Sequence, residues 1–179
     1  MRIQTATIRR LRNALLKSGR RPSVVLSPAY EILARQGLLT PEETAALERV
    51  DPLAETMYLM MAADGQLAAA ECDVLRGAVR GLTGDALHPG TINVMLETYA
   101  KRLAAEGRDA RLWQISEELA ETTAEAEAAF TLAAAVALAD DAVADEEKAF
   151  IHQLAEWFRL TDSRAEQLLE QLDEDRRSA

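Results

Sequence analysis

Residues 62–71 read "AADGQLAAAE", and residues 139–147, "ADDAVADEE", follow the same grammar. Each stretch ends an Ala-rich apolar run on an Asp, turns, passes one apolar residue and starts again in residues that favour helix, with a Glu in the first turn. With Asp64 set against Asp140, Leu67 falls opposite Val143, Glu71 opposite Glu147, Val74 opposite Phe150 and Leu75 opposite Ile151. Two copies of helix, turn and helix in one chain predict the two halves of a single bundle. The turn itself does not demand an acid. A third segment, "RQGLLTPEETAAL" at 35–47, keeps the Gly, Leu and Glu positions but places Gln36 where the other two have Asp.

Working outward, the chain reads as all-α. Segment 2–17 carries Ile8, Leu11 and Leu15 at helical spacing among arginines, a basic amphipathic helix that "SGRRPS" then breaks. "PAYEILARQ" predicts a short helix closed by Gly37, and "LTPEE" restarts one with Thr40 as N-cap, Pro41 in the first helical position and Glu43 completing a capping box. Further helices are expected at about 51–63, 69–82, 91–106, 109–120, 123–139, 145–159 and 163–173. The longest expected loop is "GLTGDALHPG" at 81–90. No alternating run marks a strand.

The chain has 179 residues, enough for one well-buried domain. Only 4% are aromatic, with Ala and Leu dominant, which suits closely packed helices better than sheets. The longest apolar run, "FTLAAAVALA" at 130–139, falls short of the roughly 18 residues a membrane span needs. One cysteine, Cys72, forbids an internal disulfide, so a soluble cytoplasmic protein is expected. The net charge of −10 is uneven: seven basic residues and no acid precede Glu31, leaving 13 basic and 30 acidic residues in the remainder. That body repels nucleic acid, whereas residues 1–21 can lie on an anionic membrane surface, dock in a partner's acidic groove, or pack across the protein's own bundle.

Four carboxylates stand out. Asp64 and Asp140 each follow the C-terminal end of an apolar helix, where exposed carbonyls disfavour negative charge. A turn role accounts for them; so does a bound cation, which would remove that penalty. Glu71 and Glu147 fall at the third helical position if Ala68 and Ala144 are the N-caps, from where each can reach back to a backbone N–H or favour the helix dipole. Carboxylate oxygens without thiolate or imidazole company select a hard ion, Ca²⁺, Mg²⁺ or Mn²⁺.

The runs entering "AADGQLAAAECDVL" and "AAAVALADDAVADEEKAFIHQLAEWFRL" resemble the two halves of the tellurite-resistance TerB-like family, also found at the N-terminus of some membrane-anchored J-domain co-chaperones. The resemblance covers about residues 51–172. It implies a compact pseudo-symmetric helical bundle at 51–179 behind a basic N-terminal helical extension, residues 1–50. It also implies a non-enzymatic module that binds a divalent cation and a protein partner in a stress-response or membrane-associated complex, cytoplasmic or peripheral to the inner membrane. By position the proposed metal ligands become Asp64, Glu71, Asp140 and Glu147. Departures are Asp141, where the family commonly has Gly, and Ala68 and Ala144 in place of polar caps.

Other chemistry lacks a motif. His88 and His152 are far apart, and no Glu-x-x-His pair marks a di-iron bundle. Neither a phosphate-binding Gly-rich loop nor a G-x-S-x-G elbow is present. His152 is expected to be partly buried, Cys72 to be a small packing residue, and Trp113, Trp157 and Phe158 to serve core packing. Ala135 and Ala139 are expected at a crowded helix contact.

Overall fold

The computed structural model describes residues 3–17, 28–62, 67–119, 122–138 and 145–178. Among them are nine helices and no strand: α1 (Thr5–Lys17), α2 (Pro28–Arg35), α3 (Pro41–Met61), α4 (Ala69–Thr83), α5 (Pro89–Glu106), α6 (Arg108–Leu119), α7 (Thr123–Ala137), α8 (Asp145–Trp157) and α9 (Asp162–Arg177).

Local signals set most boundaries. At the start of α3 the Thr40 Oγ1 accepts the Glu43 N–H at 3.1 Å, and the Glu43 carboxylate accepts the Thr40 N–H at 3.0 Å, which completes the expected capping box. That N–H also holds the Glu43 carboxyl below its ordinary pKa. α2 ends with Gly37 at φ +68°, the Leu38 N–H bonding to the Leu33 carbonyl at 2.9 Å and the Gly37 N–H to that of Ala34 at 3.0 Å. This is a Schellman closure, and it needs a residue that tolerates the left-handed conformation.

α5 begins two residues earlier than expected and α9 runs four residues further, but the main departure lies in the middle of α3. A new helix was expected near residue 51, but α3 continues straight through Pro52. Proline removes one backbone hydrogen bond from a helix interior. Here Val50, Leu53, Ala54 and Met57 around it are all buried, so packing of the turn outweighs the lost bond.

α3 and α7 form the central pair of the bundle; α4 packs on α3, and α8 on α7. Each central helix therefore leads through one copy of the repeat into its own satellite helix. Leu53, Met57 and Leu59 of α3 meet Phe130, Leu132 and Ala133 of α7 in one continuous core. The alanines of α7 bring the two backbones close. Ala128, Ala129, Ala133 and Ala134 are fully buried, whereas Ala135 is only half-buried and Ala139 lies outside the described residues.

The apolar stripe of α1 turns inward. Ile8, Leu11 and Leu15 are buried against the bundle, where α1 packs on α4, α7 and α9. On α9, Asp175 accepts the Thr7 hydroxyl at 2.7 Å and the Arg10 guanidinium at 2.9 Å. Three side chains correct the sequence reading: Trp113 is 53% exposed, His152 is exposed, and Trp157 is only half-buried against Phe150. Phe158 is buried as expected.

Candidate functional site

Of the four motif carboxylates, Asp64 and Asp140 lie outside the described residues. Glu147 belongs to α8, but its side chain is also outside them. Glu71 is described in full. It sits in the first turn of α4, half-buried, and its Oε2 accepts the Ala68 N–H at 2.8 Å. Ala68 has no side-chain acceptor to return the bond, so only this half of a capping box forms. Oε1 has no partner among the described residues and remains able to accept a donor or a hard cation.

A second polar centre, deep in the bundle, was not expected from the sequence. Asp51 and Glu55 are one helical turn apart on α3, so both face the same neighbours. The Asp51 Oδ1 accepts the Tyr30 hydroxyl of α2 and the Tyr99 hydroxyl of α5, each at 2.7 Å. Its Oδ2 stands 3.7 Å from the Arg102 guanidinium. Glu55, fully buried, receives a two-pronged contact from Arg111 of α6, Nε to Oε1 and a terminal nitrogen to Oε2, both at 2.9 Å. Arg102 also bonds to Glu55, and Arg111 to Gln114. The Tyr58 and Tyr99 rings lie 5.7 Å apart and wall one side.

Electrostatics explain why this cluster persists. Asp51 and Glu55 face the Arg102 and Arg111 guanidiniums, and the Glu106 carboxylate stands 3.6 Å from Arg111. A buried charge is tolerated only when paired and hydrogen-bonded. Burial raises the Asp51 pKa, against the opposing pull of the Tyr99 and Tyr30 hydroxyls and Arg102. Burial first, then the Asp51 charge, raises the Tyr30 and Tyr99 phenols, so both stay protonated donors. The Glu55 oxygens are occupied by arginine, which leaves them ill suited to proton transfer or metal ligation. The cluster ties α2, α3, α5 and α6 together.

The signal for it was present but local reading could not use it. "VDPLAETMYLMM" sets Asp51 and Glu55 at i, i+4 inside an otherwise apolar helix, which asks for cationic partners. Those partners stand 47 and 56 residues beyond Glu55.

A cavity of about 230 Å³ opens between α7, α8 and α9. It is lined by Phe130, Ile151 and Leu169, with His152, Asp162 and Glu166 among its polar residues. Among the described residues no group of three or more His, Cys, Asp or Glu side chains is placed to hold a metal ion, and no helix is long and apolar enough to cross a membrane.

A family model described as tellurite resistance protein TerB matches residues 50–171, a span that contains both copies of the repeat. No curated protein and no solved structure gives a match.

Proposed function

The chain belongs to the tellurite resistance protein TerB family, and from that membership we propose that it works as a non-enzymatic binding module, holding a divalent cation at its repeated acidic motif and docking a protein partner in a stress-response or membrane-associated complex. The observation that carries this reading is the repeat. Asp64 with Glu71 and Asp140 with Glu147 recur at one spacing within the matched span. Glu71 fits such a role, because its capping bond engages one oxygen and leaves the other. The four carboxylates would hold the ion through oxygen alone, which favours Ca²⁺, Mg²⁺ or Mn²⁺. The ion would supply charge neutralisation beside the helix ends. Tellurite is a poor direct ligand for such a surface, because an oxyanion has little reason to approach carboxylates.

A metal-free adaptor is the second reading, favoured by the same capping bond: Glu71 already has structural work at the start of α4. Calorimetry separates the two. The intact protein is titrated with Ca²⁺, Mg²⁺ and Mn²⁺, and again after Asp64→Asn together with Asp140→Asn. A binding isotherm lost in the double variant supports the cation module. No isotherm with any of the three ions rejects it and leaves the adaptor.

A further inference from the structure

We propose that the exposed flank of α1 that carries Arg9, Arg12 and Leu16, joined by Arg49 of α3, is a docking surface for an anionic lipid bilayer. This deepens the membrane-associated half of the functional reading and does not depend on the cation site. The buried stripe of Ile8, Leu11 and Leu15 is committed to the bundle and cannot serve a membrane. Arg9, Arg12 and Leu16 stand at i, i+3 and i+7, each one residue beyond Ile8, Leu11 and Leu15, so they form a second stripe about 100° around the helix from the buried one. All three are exposed, Leu16 by 55%.

The patch extends beyond one helix. Arg12, Leu16 and Arg49 line a single shallow cleft of about 80 Å³ whose other walls are Leu15, Ala46, Val50, Leu82 and Thr83, with no acid among them. Arg12 also lies against Gly84, at the carbonyl end of α4, which favours a cation there. The neighbouring Asp85 is already paired with Arg80 at 2.7 Å.

Among the described residues Arg9, Arg12, Lys17 and Arg49 have no ion-pair partner, whereas arginines elsewhere are engaged, Arg10 by Asp175 and Arg164 by Glu127. Such cations on a protein of net charge −10 make a local basic patch suited to an anionic partner. The apolar residue among them selects the bilayer. Leu16 can enter the headgroup boundary while the arginines remain at phosphate level, whereas a nucleic acid backbone offers nothing to an isolated leucine.

Each basic residue near an anionic leaflet raises partitioning about fivefold, so this patch gives weak, reversible and salt-sensitive binding. The test uses the full chain in sedimentation with vesicles of phosphatidylcholine alone and of phosphatidylcholine with phosphatidylglycerol. Binding is expected only to the anionic vesicles, falling as salt rises, and unchanged by a chelator. Arg12→Glu with Arg49→Glu should lower partitioning by about tenfold or more. Leu16→Ala should lower it by a few-fold while leaving helicity and thermal midpoint at wild-type values. Equal binding to both vesicles, wild-type binding by the charge-reversed variant, binding that needs a divalent cation, or tighter capture of a labelled oligonucleotide would each overturn the proposal. A chelator-insensitive result leaves the cation reading to its own titration, so the two fail separately.

Discussion

Asp51 accepts two phenolic hydroxyls in a nearly closed site, and burial raises its pKa above the ordinary 3.8. The sign of the resulting pH dependence follows from proton counting. Between 3.8 and the raised value the folded protein keeps a proton that the unfolded chain has released. The contribution of Asp51 to stability is therefore fully present below the unfolded value and is lost as pH rises through the folded one, at about 1.4 kcal/mol for each pH unit between the two. Asp51→Asn keeps an acceptor for Tyr30 and Tyr99 but cannot titrate. The wild-type thermal midpoint minus that of the variant should decline from acid toward neutral pH; a flat or rising difference would show that the tyrosines and Arg102 outweigh desolvation. The sequence displayed this carboxylate without disclosing its role. Its burial depends on Tyr99 and Arg102, which α5 brings alongside only when the whole bundle closes.

Helix ends written in neighbouring residues were legible, as Thr40, Pro41 and Glu43 illustrate, because a capping box is complete within four positions. Contacts between helices were not, and α4 makes the contrast measurable. Gly77 and Gly81 look alike in sequence. At Gly77 an added methyl meets nothing within 4 Å, whereas at Gly81 it would come within 2.6 Å of the Ile8 Cγ2 of α1. Gly77→Ala should stabilise by up to about 1 kcal/mol through helix propensity alone. Gly81→Ala gains the same propensity but overpacks the α1–α4 contact, at about 1–3 kcal/mol, so its net effect should be destabilising. Ile8 is branched next to its backbone and buried, which limits its escape. Urea midpoints of the two variants check the opposite signs, and Gly81→Ala should lose less in an Ile8→Ala background. Equal shifts at both positions would mean that α1 does not press on α4. The acidic motif shows the converse limit: its repeat was visible, yet only Glu71 has a described side chain, and its partner is the local Ala68 N–H.

The family match begins at residue 50, yet the hydrophobic core does not respect that point. α3 crosses it without a break, and Ile8, Leu11 and Leu15 join the same core cluster as Leu53 and Phe130. Opposite charges within one chain make this packing natural: seven basic residues and no acid precede Glu31, and the remainder is strongly acidic. Charge pattern and apolar stripe together were compatible with an outward-reaching arm or an inward-packed helix, and only the available groove on α4, α7 and α9 selects between them. If α1 is integral, Leu11→Ala removes a side chain that is 5% exposed and should cost about 2–5 kcal/mol. Leu16→Ala, one turn further and mostly exposed, should stay within about 0.5 kcal/mol. Denaturant unfolding followed by circular dichroism distinguishes the cases. An integral α1 gives one transition whose midpoint falls sharply in Leu11→Ala, with an unchanged slope, because the whole bundle still unfolds together. A detached arm would leave both variants silent at the main transition, since no leucine on it could report on a core to which it did not belong.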